Sequence, residues 1–200
     1  MRLDGFISFS LVALSTCLPA VLRAQFQEPT KEELQMTADS KAPGASAVYL
    51  YREDITDQPT STRTFYERIK VLSEKGKEQA TIHFPYLPSI DKVVDVEART
   101  IHPDGTVVPL TDKPSELVEV KTKGFQVNNL VFTLPSVEVG SILEYRYTIQ
   151  LENHVTPPTW EVQRKYYVRR AHYEWLLTIY SRTLSRRMTC FLVDGVYENL

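Results

Sequence analysis

Cysteine is nearly absent: the 200 residues hold two, Cys17 and Cys190. Cys17 falls within an N-terminal apolar run, and if cleavage removes that run after Ala24, Cys190 is the sole thiol and an internal disulfide is excluded. Stability must then come from a packed core, for which this length suffices. Glycine is scarce, seven against twelve prolines, which points to stiff corners. There is no Gly-rich phosphate loop and no Gly-x-Ser-x-Gly elbow, so nucleotide hydrolysis and serine-hydrolase chemistry lack their usual signatures. The charge is not one-sided. Lys and Arg number 23 against 25 Asp and Glu, a net of −2, which removes the electrostatic case for nucleic acid as partner. His83, His102, His154 and His172 are far apart and lack ligand-pair spacing. No metal or cofactor is expected.

What is present begins with an apolar run from Phe6 to Leu22, preceded by a single basic side chain, Arg2. It closes on Leu22-Arg23-Ala24 before Gln25, and residues 1–24 read as a signal peptide. Asp4 and Pro19 depart from that pattern, and a retained membrane anchor or lipid attachment at Cys17 are the alternatives. The expectation is an exported protein, periplasmic or secreted, that meets a membrane only if this segment is kept.

Residues 25–45 read as a short helix and a linker. Thr30 and Glu33 have the spacing of a capping box, which predicts a helix to about Met36. Residues 46–200 read as one β-sandwich domain that stops short at its C-terminal end. Eleven Tyr and eight Phe among many Val and Thr favour strands. Ser46–Asp54 and Ser61–Leu72 are the first two, the latter with Phe65, Ile69 and Val71 on one face and Arg63 and Glu67 interleaved. Glu74-Lys75-Gly76 predicts a hairpin turn into Glu78–Phe84, which Pro85 and Pro88 should end. Lys92–Ile101 pairs with Thr106–Leu110 through the His102-Pro103-Asp104-Gly105 turn, where proline presets a corner and glycine accepts a positive φ. Leu117–Lys121 is a short strand, and Asn129–Leu134 is expected to pair with Ser141–Leu151. Thr159–Val168, Tyr173–Tyr180 and Arg187–Val193 complete about ten strands, with Asp194-Gly195 as a further hairpin signal. The fold class is all-β, an antiparallel sandwich with a short N-terminal helix.

Several of these segments carry a family resemblance. They are Lys70-Val71-Leu72 with Lys75-Gly76, Ile101 through Gly105 before an apolar strand, and Asn129 through Leu134-Pro135. The run Val139-Gly140-Ser141-Ile142-Leu143-Glu144-Tyr145-Arg146-Tyr147, Trp160 ahead of Gln163, and Val168-Arg169-Arg170 agree in order and spacing. Together they resemble the N-terminal β domain of unknown function that precedes transglutaminase-like domains in exported bacterial proteins. The resemblance implies a non-catalytic module whose partner is a C-terminal transglutaminase-like domain missing from this chain. The papain-like Cys, His and Asp of such proteins belong to that following domain, and no residue here takes their place.

No catalytic residue is therefore expected. Thr189-Cys190-Phe191-Leu192 reads as strand, which makes Cys190 an inert thiol rather than a nucleophile. Asp91, Asp95, Glu97 and Asp104 invite comparison with paired hydrolytic carboxylates, but Asp95 and Glu97, two apart on a strand face, read as solvated. Glu144 and Arg146 share a strand face opposite Tyr145 and Tyr147, and a cross-strand salt bridge is the leading reading. Glu144, Arg146 and Trp160 are the candidate ligand contacts, for a peptide or glycan. The tyrosines from Tyr49 to Tyr167, with Trp160 and Trp175, are expected mainly in the core. A stand-alone binding module and a thiol or carboxylate hydrolase are the alternative functions.

Overall fold

The structure, a computed structural model, describes residues 26–152, 158–160, 165–180 and 185–196, with side chains described up to residue 177. The expected signal segment, Cys17 and His154 lie outside the described residues.

A short helix, α1 (Lys31–Gln35), opens the chain. Thr30 caps it as the spacing predicts: the Glu33 amide donates to the Thr30 hydroxyl at 3.2 Å, and the Thr30 amide donates to the Glu33 carboxylate at 2.8 Å. Among the described residues ten strands follow: β1 (Ala47–Asp57), β2 (Thr62–Val71), β3 (Thr81–Tyr86), β4 (Asp91–Ile101), β5 (Val107–Pro109), β6 (Ser115–Thr122), β7 (Phe125–Thr133), β8 (Ile142–Leu151), β9 (Arg170–Tyr180) and β10 (Ser185–Val196). They form a seven-stranded sheet in the order β10-β9-β1-β2-β8-β4-β5 and a three-stranded sheet in the order β3-β7-β6. The all-β sandwich is thus as expected.

The core lies between the sheets. Ile69, Val71, Leu143, Tyr145 and Ile149 on the large sheet meet Tyr86, Leu130 and Phe132 on the small one. Phe65 stacks on Tyr147 at 4.9 Å, and Phe84 from the small sheet reaches Tyr147 at 4.6 Å. Such ring pairs add about 0.5–1.5 kcal/mol each beyond the area they bury. A second, smaller core sits on the outer face of the large sheet, where Leu34 of α1 and Met36 just after it cover Leu50, Ile101 and Ile142.

Several pairings differ from those expected. Glu74–Ala80 is a 3-10 helix, not a hairpin turn, and it carries the chain from the large sheet to the small one. Gly76 allows that route. A Cβ there would stand 2.0 Å from the Ser46 carbonyl oxygen, which accepts from the amides of Leu72 and Ser73. Pro85 does not end β3 but lies within it, opposite Asn129. The strand is an edge, where a missing donor is tolerated.

β7 and β8 do not pair, although they are consecutive strands. β7 joins β3 and β6, while β8 lies between β2 and β4. Their connection crosses between sheets through Gly140, at φ +91°. In the Thr159–Val168 segment, the described residues make only one isolated bridge, Tyr49 with Val168. Asp194-Gly195 lies inside β10, paired with His172 and Ala171. The β1–β9 pair is parallel, which departs from a wholly antiparallel sheet. More than a hundred residues separate these strands, so no hairpin dictates their direction.

Replacing Gly76 by Ala should force the Ser46 backbone aside and lower stability by about 1–3 kcal/mol, read from denaturant midpoints. An unchanged midpoint would contradict the close approach.

Candidate functional site

The outer face of the large sheet carries most of the polar residues placed by strand alternation. A bulge sets its composition. The β1–β2 register shifts between Tyr49 and Tyr51, so two tyrosines that strict alternation would place together point to opposite faces. Tyr49 enters the inter-sheet core. Tyr51, Glu53, Ile55 and Asp57 take the outer face with Thr64, Tyr66, Arg68 and Lys70 of β2. β8 adds Glu144, Arg146 and Thr148, and β4 adds Asp95, Glu97 and Arg99.

Glu144 is fully buried. Arg99, directly opposite in the register, donates from Nε to Glu144 Oε2 at 2.6 Å. Tyr66 donates to Oε1, and Arg68 Nε stands 3.8 Å from the same oxygen. The cross-strand salt bridge is therefore present. It joins β2, β8 and β4 and encloses Glu144 away from solvent. Burial, then the Glu144 charge, pushes the Tyr66 phenol well above its usual pKa. On the inner face the same pair of strands repeats the arrangement in reverse. Tyr145 donates to Glu67, which also accepts from Arg52 Nε at 3.0 Å. Burial first, then Glu67, pushes the Tyr145 phenol upward.

Arg146 keeps a more open position. Its guanidinium lies 5.0 Å from the Tyr66 ring centre and 5.6 Å from that of Phe26. It also helps line a groove of about 460 Å³. Thr64 and Thr148, 3.1 Å apart between hydroxyl oxygens, form the floor. Glu53 and Asp57 stand on the β1 side, and Asp95 and Glu97 on the β4 side. Four strands at ~4.8 Å spacing put the two acidic walls ~14 Å apart. The pair Asp95 and Glu97 does share a face, and the structure brings it beside Arg146. Four carboxylates against one guanidinium suit a cationic, hydrogen-bonding occupant.

Trp160 does not join them. It packs against Tyr173 at 5.4 Å on the inner side of the sheet. There it lines a separate cavity of about 490 Å³ with Arg52, Asp54 and Arg63. Arg63 grips Asp54 through Nε at 2.9 Å and Nη2 at 2.6 Å. The three candidate contacts thus occupy three surroundings: Glu144 sealed, Arg146 at the groove, Trp160 across the sheet. Sequence reasoning missed Glu53, Asp57 and the threonine floor, because only the β1 bulge and the β2–β8 register bring them together. Tyr49, Tyr66, Tyr86, Tyr166 and Tyr167 are buried, as expected of core tyrosines.

Residues 58–177 match a family described as a domain of unknown function with a solved structure, DUF3857. The chain belongs to this family. The DUF3857 match starts just after β1 and ends within β9, so it contains the groove floor and the β4 wall but not Glu53 or Asp57. A solved structure from Parabacteroides distasonis, described as that of a candidate protease, is 14% identical with a TM-score of 0.55. That likeness covers 66% of this chain and 29% of the other, and it speaks for the fold. The DUF3857 chain therefore spans less than a third of that relative. No curated protein matches it.

Glu144→Gln should cost about 3–5 kcal/mol in chemical denaturation, since it takes the counter-charge from buried Arg68 and half-buried Arg99. Arg146→Ala should change stability far less, and equal losses would refute the distinction. Lys70 offers a pH test. It is fully buried and donates to the carbonyls of Leu34, at 2.9 Å, and Gly140. Burial lowers its pKa from 10.5 to about 8. Between those values the unfolded chain holds a proton that the folded chain has released, so Lys70 makes stability rise with pH across that window. Lys70→Met should flatten this component, seen as a difference in unfolding free energy between the two chains over the same pH range.

Proposed function

We propose that this chain is an exported, non-catalytic accessory domain that holds a peptide bearing cationic side chains along the outer-face groove. The observation that carries this reading is the groove itself, with acidic walls on β1 and β4 and a hydroxyl floor between. Carboxylates in an open cleft attract ammonium and guanidinium groups, and threonine hydroxyls serve a peptide backbone as donor or acceptor. The burial of most tyrosines favours a peptide over a glycan, because a sugar is ordinarily gripped by exposed aromatic faces.

The parent protein is proposed to be transglutaminase-like, with its catalytic residues in another domain. Family membership and the resemblance of the 101–105 and 139–147 segments support this. So does likeness to 29% of a longer chain described as a candidate protease. Transglutaminase-like and proteolytic chemistry both act on peptides, which a peptide-holding module would present. Export rests on the apolar run and Ala24 at the end of residues 1–24.

Titration with a lysine-containing extended peptide, followed by amide chemical shifts, tests the reading. Saturable shifts are expected around Thr64, Thr148 and Glu97. The double variant Asp95→Asn/Glu97→Gln should weaken binding about tenfold. Equal binding of a peptide with glutamine in place of lysine would sink the electrostatic reading. Alkylation of Cys190 should leave binding intact. Turnover of a peptide or ester that alkylation abolishes would instead favour a thiol hydrolase.

A further inference from the structure

A second cavity lies on the same face, at the other end of Tyr51. It measures about 430 Å³ and is closed on one side by the segment carrying Gln27, Glu28 and Thr30. Its charge is opposite in character. Arg68 of β2 lines it, together with Arg169 and Arg170 where the chain enters β9. Two glutamates also reach it, but each has another neighbour. Glu33 accepts from the Thr30 amide at 2.8 Å in closing the helix cap. Glu28 is largely solvent-exposed and pairs loosely with Arg99, at 3.8 Å.

Arg68 is the unusual member. It is 3% exposed, yet its Nε and Nη2 donate no hydrogen bond within the chain. Its carboxylate neighbours stand off, Glu33 at 3.4 Å and Glu144 at 3.8 Å. The Glu144 oxygen nearest to it already accepts from Tyr66, and the other accepts from Arg99. Buried guanidinium donors are rarely left without acceptors in a native protein. Here they line a cavity that two further arginines share. Arg169 is steadied by Asp39 through Nε at 3.1 Å, and Arg170 lies over the Tyr51 ring at 4.7 Å. A planar fork with open donors matches the oxygens of a carboxylate or phosphate, and flanking guanidinium groups raise the local potential for an anion.

We propose that this cavity is an oxyanion-binding site, with Arg68 as the buried anchor and Arg169 and Arg170 as its rim. It would take the carboxylate or phosphoryl group of a larger ligand. This inference stands apart from the acidic groove and does not rest on a peptide occupying that groove.

Calorimetric titration of the chain with inorganic phosphate and, separately, with succinate at low ionic strength tests it. Saturable binding of at least one anion is expected, weakened about tenfold in Arg170→Gln and unchanged in Lys165→Gln, an exposed cation outside the cavity. Tighter binding of phosphate would mark a phosphoryl ligand, and tighter binding of succinate a carboxylate. Arg170 lies on the rim, so its variant leaves the buried ion network intact, and Arg68→Gln serves as the second variant wherever its unfolding curve matches that of the parent chain. The proposal is overturned if neither anion binds saturably. It is equally overturned if Arg170→Gln and the double variant Arg169→Gln/Arg170→Gln both bind as tightly as the parent chain.

Discussion

A carboxylate without solvent has to be neutralised where it stands, and Glu144 is such a carboxylate at the middle of the large sheet. Arg99 and Tyr66 bond to it from the strands on either side, which ties the register of β2, β8 and β4 to a single charge. The same arginines then hold the N-terminal segment. Arg99 donates to the Gln27 carbonyl at 3.0 Å and lies 4.9 Å from the Phe26 ring centre, while Arg68 faces Glu33. Lys70 adds a further tie to this segment, donating to the Leu34 carbonyl at 2.9 Å.

The segment in turn divides the outer face. On one side of Tyr51 and Glu53 the sheet remains open as an acidic groove, and on the other it is roofed into a basic cavity. Tyr51 donates to Glu53 at 3.0 Å across this divide. Two clefts of opposite charge thus sit on one sheet, where strands locate side chains more firmly than loops would.

Tyr66-Glu67-Arg68 and Glu144-Tyr145-Arg146 show how much such a sheet depends on register. Tyr66 reaches Glu144 outside, and Tyr145 reaches Glu67 inside. Glu144 and Glu67 thus each take a phenol from the neighbouring strand, one on each face. A slip of one residue would turn every one of these groups to the wrong side. The pairing is therefore a specificity device as well as a set of contacts. On the small sheet, Leu117, Val118, Val120 and Phe125 of the β6–β7 hairpin are exposed.

The local features are legible from the chain alone. The Thr30–Glu33 cap, the His102–Gly105 turn, the shared face of Glu144 and Arg146, and the β class follow from spacing, turn chemistry and period-two alternation, which act over a few residues. Which strands are neighbours is set by long-range packing. Nothing near β7 or β8 in sequence sends them to different sheets, and nothing near β1 calls for a parallel partner from β9. The bulge at Leu50 is equally silent, since one extra residue costs little locally yet reverses the faces of Tyr49 and Tyr51. The groove and the arginine cavity draw on strands far apart in sequence. Their composition becomes legible only when long-range pairing, driven by burial of the common core, has set the register.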